Sequence, residues 1–180
     1  MHSQILLNLR RGLLVTLCFF VLLGIAYPLA VTGIGQAFFS SQANGSLTKN
    51  GSTQIGQQWK GPKWFQGRPD GDDPMATGGT NLGPRSKTLV KDVKEQIALL
   101  KKEGITPTPD LVTTSGSGVD PDIAPVDAYA QVNAVAKARG LSVAAVRHLV
   151  STQIHPAEFG FLGSSYINVL QLNEALRTLR

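Results

Sequence analysis

LLVTLCFFVLLGIAYPLAVTGIGQAFF, Leu13 to Phe39, is almost wholly apolar, with Thr16, Thr32 and Gln36 as its main polar interruptions. A helix rises ~1.5 Å per residue and a bilayer core is ~30 Å thick, so about 20 such residues suffice to cross it. The stretch exceeds that need, which leaves room for tilt, a bend at Pro28, or a last turn among the headgroups. A secretory signal would carry an apolar region of only about 7–15 residues, although Ala26 and Ala43 offer small-residue cleavage points. The length favours a retained anchor. On this reading residues 1–11 precede the membrane, 12–39 form a single transmembrane helix and 40–180 form a separate domain.

Charge sets the expected orientation. Arg10 and Arg11 abut the span, and nothing charged follows from Gly12 to Thr48. Positively charged flanks stay in the cytoplasm, so the N-terminus is expected there and the domain outside, periplasmic or extracellular. The one cysteine, Cys18, lies mid-span. The exported domain therefore has no disulfide and depends on its core alone. Asn44-Gly-Ser and Asn50-Gly-Ser match a glycosylation acceptor, which matters only in a eukaryotic secretory pathway.

Over 180 residues, 17 Lys and Arg stand against 12 Asp and Glu, a net charge of +5. No basic stripe interleaves with aromatic residues, so nucleic acid is not an expected partner. The distribution is more telling than the sum. Arg85 to Lys102 holds six cations and two acids, whereas Glu103 to Ala136 holds five acids and no Lys or Arg.

Ser40 to Pro84 is rich in Gly, Ser, Asn and Gln, and reads as loops with short strands held by Trp59, Trp64 and Phe65. SKTLVKDVKEQIALLKKEG predicts a helix capped by Ser86 and ended by Gly104, with Leu89, Val93, Ile97 and Leu100 on one face. Leu111 to Thr114 is β-branched enough to be a strand candidate. Pro125 and Gly140 bracket a second helix, and Ser142 caps a third whose apolar positions are Val143, Val146 and Val150. YINVLQLNEALRTLR predicts a strand turning into a helix with Val169, Leu172, Leu176 and Leu179 inward. Helices with a few strands on one core make an α+β domain.

TTSGSGVDPDIAP, Thr113 to Pro125, is the stretch where chemistry would be sought. Ser115 or Ser117 with His148 or His155 and an aspartate supplies the parts of a hydrolase, but no nucleophile-elbow spacing is present. A phosphate loop needs a lysine after its glycines, and this stretch lies within the acid-only segment. The spacing favours a structural turn over a protein-contact loop or an anion site. Gly116 and Gly118 permit positive φ and Asp120-Pro121 sets a turn. Ser115→Ala is accordingly expected to be nearly silent. DGDDP, Asp70 to Pro74, lacks the ligand pattern of a calcium loop and reads as a solvated turn. No zinc-type ligand spacing occurs, so neither a metal site nor catalytic residues are expected. WFQGRPDG and GGTNLGPRS add Gly67, Arg68, Pro69, Asn81 and Gly83 as loop residues. Arg68 on its stiff turn could fork onto a carboxylate or backbone carbonyls, within its own domain or on a partner.

Several motifs occur together and in order: FQGRPDG, GGTNLGP, VTTSGSGVDPDIAP, VAKARGLS and GFLG…INVLQLNEAL, the last containing Asn168. With the one N-terminal anchor, they make the chain resemble the C subunit of the Kdp potassium-transporting P-type ATPase. The resemblance implies an accessory subunit of a bacterial high-affinity potassium pump, in the inner membrane. Its implied partners are a channel-like translocating subunit and a P-type ATP-hydrolysing subunit. The family is described as needed for assembly and as a catalytic chaperone raising ATP affinity of the hydrolytic subunit, so ATP is implied through that partner and no cofactor is expected here. This chain carries neither Asp-Lys-Thr-Gly-Thr nor a Walker loop, and is not expected to hydrolyse ATP. It departs from the family at Ser164, Ser165 and Tyr166, where Glu-Pro-Arg is usual after Gly-Phe-Leu-Gly. It also departs at Ala124, where a capping Ser or Thr is usual, and at Arg85. An anchored hydrolase using Ser115 and an anchored binding module of another system are the competing readings. The acids Asp110, Asp120, Asp122 and Asp127 either steer cations electrostatically or are ordinary turn and helix-start residues.

Overall fold

The computed structural model describes residues 2–71 and 73–179, and the chain divides into two compact units, Met1–Ser46 and Leu47–Arg180. In the first, helix α1 (His2–Val21) passes through a π-helical turn, Leu22–Ala26, into α2 (Tyr27–Phe38). From Ser3 to Phe38 this is a helix of 36 residues containing an 18-residue stretch with a mean hydropathy of 2.4, long and apolar enough to cross a membrane. The wide turn has a local cause. Pro28 has no N–H and its ring presses on the carbonyl four residues back. Just before it, the Tyr27 N–H reaches five residues back to the Leu22 carbonyl. The expected bend at Pro28 is thus absorbed as a π turn inside a continuing helix. A short α3 (Ser40–Ala43) follows, and the Gln36 and Asn44 side chains exchange hydrogen bonds across it.

The second unit mixes helices with two very small sheets. The paired strands β1 (Leu47–Thr48) and β2 (Gly51–Ser52) form one, and β3 (Asp122–Ile123) and β4 (Ile167–Asn168) the other, both antiparallel. Its helices are α4 (Lys87–Lys102), α5 (Pro109–Val112), α6 (Pro125–Arg139), α7 (Val143–Thr152) and α8 (Val169–Thr178). Helix ends follow local chemistry. Ser86, Ser142 and Asn168 cap α4, α7 and α8 through their side chains. Gly104 and Gly140 stop α4 and α6 in the left-handed conformation. In both, the next residue donates back to a helix carbonyl, Ile105 to Leu100 and Leu141 to Ala136.

Helix α6 is central. Ala128, Val132, Val135 and Ala136 join Val146 and Val150 of α7, Val169, Leu172 and Leu176 of α8, and Phe65, Ile123 and Ile167 in the main core. Ala134 meets a second cluster made by Leu100, Ile105 and Leu111. On α4 the expected face is inward, but only Leu100 is fully buried. Val143 departs from expectation: it stands exposed in the first turn of α7.

The strand expected over Leu111 to Thr114 is instead the end of α5. Thr108, extended as the residue before a proline, is followed by Pro109 at the first helical position and Asp110 in the first turn. Leu111 is thereby turned into the second core cluster, and the chain becomes extended only at Thr113. Local helix-start chemistry outweighs the β-branched composition.

Trp59, Trp64 and Phe65 do organise the loop-rich segment. The two indoles pack 5.1 Å apart, with Arg139 over Trp64 and Arg177 over both rings. Phe65 is fully buried and Gln66 nearly so, yet neither belongs to a strand. Their backbone groups are paired by two side-chain amides. Asn173 of α8 accepts from the Phe65 N–H at 2.9 Å and donates to its carbonyl at 2.8 Å. Gln131 of α6 does the same for Gln66, at 2.7 and 2.9 Å. Each amide stands in for a neighbouring strand.

Asn173→Leu is therefore expected to leave a buried N–H and carbonyl without partners, a loss of roughly 2–4 kcal/mol. Denaturant unfolding should show a correspondingly lower midpoint, whereas His148→Ala on the exposed face of α7 should stay within about 0.5 kcal/mol.

Candidate functional site

The motif loops meet around Asp70. One carboxylate oxygen accepts from the Ser115 N–H at 2.7 Å; the other accepts from the Ser115 hydroxyl at 2.6 Å and the Asp120 N–H at 2.9 Å. The Ser115 hydroxyl oxygen in turn accepts from the Gly118 N–H at 2.8 Å, and Ser117 Oγ accepts from Val119. The loop's donors are aimed at an acid of the same chain. The expected solvated turn at Asp70 is thus corrected: Asp70 is the anchor of the Gly-rich loop, while Asp72 of the same DGDDP run lies outside the described residues.

This arrangement bears on the readings of Thr113 to Pro125. A carboxylate already occupies the place an added anion would take. No hydrogen bond of Ser115 goes to a histidine. His155 instead stacks on Tyr166, and His148 is exposed on α7. Among the described residues no group of three or more His, Cys, Asp or Glu could hold a metal. Gly67, Arg68, Asp70, Asp120 and Pro121 border a recess of about 10 Å³, room for no more than a water. A depression of about 770 Å³ between α4 and α6 is bordered by Leu99, Lys102, Asn133 and Lys137, away from these loops.

The backbone is equally committed. Gly118 has φ +72, and a Cβ there would stand 2.5 Å from the Gly78 carbonyl oxygen. Gly116, by contrast, has no positive φ and open space beside it. The Gly78 N–H donates to Ser117 O at 2.6 Å and the Gly56 N–H to Val119 O at 2.8 Å. Three separate stretches of chain are laced onto one turn.

Arg68 forks within its own domain. One guanidinium nitrogen pairs with Asp110 at 3.0 Å, the other donates to Thr113 Oγ1 and the Thr114 carbonyl. Asn168 caps α8 and also donates to the Thr53 carbonyl and to Asp122. Pro121 O receives the Val169 N–H, and Pro69 borders a groove with Leu89 and Val93. Gly67 leaves ordinary contact room against Val169. Asn81, left-handed at φ +56, and Gly83, with open space around it, lie apart on the exposed 78–84 loop. Gln131 and Asn173 belong to none of the loop motifs in the sequence. The available signal was an amide placed among the apolar positions of a helix.

The four acids have assigned partners. Asp110 holds Arg68, Asp120 accepts from the Asp122 N–H, and Asp122 accepts from Asn168. Asp127, 1% exposed, accepts from the Ala124 N–H and so closes the start of α6, where Ala124 itself has no capping group. Burial raises Asp127 above the ordinary 3.8, with the Asp110 carboxylate adding to the rise. Burial likewise raises Asp122, opposed by its bond from Asn168.

Two outcomes follow for stability. Ser115→Ala, removing a hydroxyl that both donates and accepts, should cost about 1–3 kcal/mol, against the near-silence expected from sequence. Gly118→Val should cost about 2–4 kcal/mol while Gly116→Val is milder; thermal unfolding of the full chain in detergent reads both. A carboxyl raised in the folded state binds its proton more tightly folded than unfolded. Its contribution therefore favours the fold at low pH and is lost as pH climbs from 3.8 through the raised value. Asp127→Asn, whose amide oxygen still accepts from Ala124, should flatten that loss in unfolding measured against pH.

Comparison with known proteins extends over the helix and the domain together. The family model described as "K+-transporting ATPase, c chain" matches residues 9–178. A potassium-transporting ATPase KdpC subunit of Caulobacter vibrioides is 45% identical over 181 residues, covering 94% of this chain and 92% of that protein. The KdpC subunit of Mycobacterium tuberculosis is 43% identical over 186 residues, covering 96% and 98%. With its motif loops laced onto Asp70 and its match running from the apolar helix to the last turn of α8, this chain belongs to the KdpC family of potassium-transporting ATPase subunits.

Proposed function

We propose that the chain is an accessory, non-hydrolysing subunit of an ATP-driven, high-affinity potassium import complex, anchored once in the bacterial inner membrane. The observation that carries the reading is the family match over both units, residues 9–178. The apolar helix fits an anchor over 12–39, and Arg10 and Arg11 at its start favour a cytoplasmic N-terminus and a periplasmic domain over 40–180. The partners are the channel-like translocating subunit and the P-type hydrolysing subunit, and the chain serves their assembly.

The geometry supports an indirect route for any effect on ATP affinity. Glycine-rich backbone donors that could cradle a phosphate are directed to Asp70 and to the loop's own serines. With the domain outside the cytoplasm, nucleotide would also be scarce around it. A catalytic-chaperone effect then reaches the hydrolytic subunit through contacts made in the assembled complex. The loop residues Gly67, Arg68, Pro69, Ser115, Gly116, Ser117, Gly118, Asp120, Pro121 and Asn168 serve by shaping the domain that makes those contacts. Asn81 and Gly83, on the exposed loop, are open to a partner.

Orientation is tested by placing single cysteines in a Cys18→Ala background. Ser46→Cys is expected to react with an impermeant thiol reagent in cells with a permeabilised outer membrane, and Ser3→Cys to stay unlabelled until the inner membrane is broken. The reverse pattern would turn the domain to the cytoplasm and reopen direct nucleotide contact. Co-purification with the other two subunits from native membranes tests the reading as a whole.

A further inference from the structure

Between α7 and α8 the chain leaves the core as a narrow hairpin. His155 and Tyr166 exchange both backbone hydrogen bonds, at 2.9 and 3.0 Å, and their rings stack 4.9 Å apart. A second antiparallel bridge pairs Glu158 with Leu162. Beyond it the turn presents Phe159, 86% exposed, Phe161, 76%, and Leu162, 50%. None of these three side chains belongs to either hydrophobic cluster of the described residues.

The backbone adds an independent sign. Phe159 sits at φ +52, a region that bulky residues adopt only at a cost of about 1–2 kcal/mol. Gly160, beside it at φ +80, bears such a conformation without strain. A phenylalanine held at that cost, and outward, is placed for contact.

Charge distinguishes the occupants. No lysine or arginine occurs between Arg147 and Arg177, and Phe159 to Tyr166 carries no formal charge at all. A loop that binds lipid headgroups draws on basic residues around its apolar tip, and this one has none. An uncharged aromatic tip is instead what the dry centre of a protein interface takes. The two bridges and the ring stack hold the hairpin in one shape, which reduces the ordering cost of docking. The proteins it resembles are named as subunits of a multi-chain ATPase.

We propose that the 156–165 hairpin is a docking prong, with Phe159 and Phe161 seated in an uncharged, apolar pocket on the extracytoplasmic surface of another subunit. The inference rests on the reading of the chain as a pump subunit. It deepens that reading by naming the contact element and the chemistry of its receptor.

The test uses the full chain in its native membrane, with a photoreactive p-benzoylphenylalanine replacing Phe161 and, as a control, Ala144 on the exposed side of α7. On irradiation, the probe at the tip is expected to join another subunit of the complex, and the control is not. Adducts only with lipid, adducts only with a second copy of this chain, or none at all would each overturn the proposal. Phe159→Ser/Phe161→Ser should reduce co-purification with the other subunits at least tenfold, with the thermal unfolding of the chain itself unchanged; undiminished co-purification would overturn it too. Unsubstituted chain that co-purifies while the prong neither joins a partner nor matters for retention refutes the prong alone. Unsubstituted chain that never co-purifies refutes the subunit reading and the prong with it.

Discussion

Chain that enters a core without regular structure must still pair its buried N–H and carbonyl groups, and the segment from Phe65 to Asp70 does so, with Phe65 and Gln66 buried and the rest half-buried. It runs into the domain beside α6 and α8 and has no neighbouring strand. Asn173 and Gln131 pair its first two residues, the Arg68 guanidinium ties its middle to α5 and the extended chain after it, and the Asp70 carboxylate ends it in the Gly-rich loop. Gln66 also donates through its side chain to Glu103 at the end of α4. Helices α4, α5, α6 and α8 are thereby fastened to one thread. An unpaired buried group costs about 1–3 kcal/mol, so each of these side chains is held to one chemical type.

The same constraint accounts for how residues that resemble reactive machinery are used in this fold. Serine, aspartate and glycines in close succession are the components of catalytic and phosphate sites. In this fold they are spent on one another: the hydroxyl on the carboxylate, the amides on the hydroxyl, the left-handed glycine on the close passage of Gly78. Acids from the segment that lacks basic residues are drawn in too. Asp127 starts a helix that Ala124 cannot cap and Asp110 holds the arginine. Their field toward solvent is correspondingly reduced, so the structural account of these acids has more support than cation steering.

A domain locked in this way is suited to presenting a fixed surface. Its glycine turn is closed, and the Phe159–Phe161 hairpin projects two exposed phenylalanines from the domain. The chain combines such a domain with one helix long and apolar enough to cross a membrane.

Much of this was legible in the sequence because it depends on neighbours along the chain. The apolar run of Leu13 to Phe39, the caps at Ser86 and Ser142, the Pro125-to-Gly140 helix and the strand-to-helix turn at Ile167 all follow from local spacing. Family membership was legible for the same reason, through short motifs in a set order. Local chemistry also misled where two signals competed, as at Leu111 to Thr114, where Pro109 and Asp110 began a helix in a β-branched context. What the sequence could not disclose was pairing across distance. Asp70 to Ser115, Arg68 to Asp110, Phe65 to Asn173 and Gln66 to Gln131 join residues whose separation carries no periodic trace. The sequence by itself determined one long apolar helix, the helices of the domain and a family. Only the tertiary structure decided that the glycine-rich motif is knotted around the Asp70 carboxylate, because a hydrogen bond's partner is chosen by proximity in space.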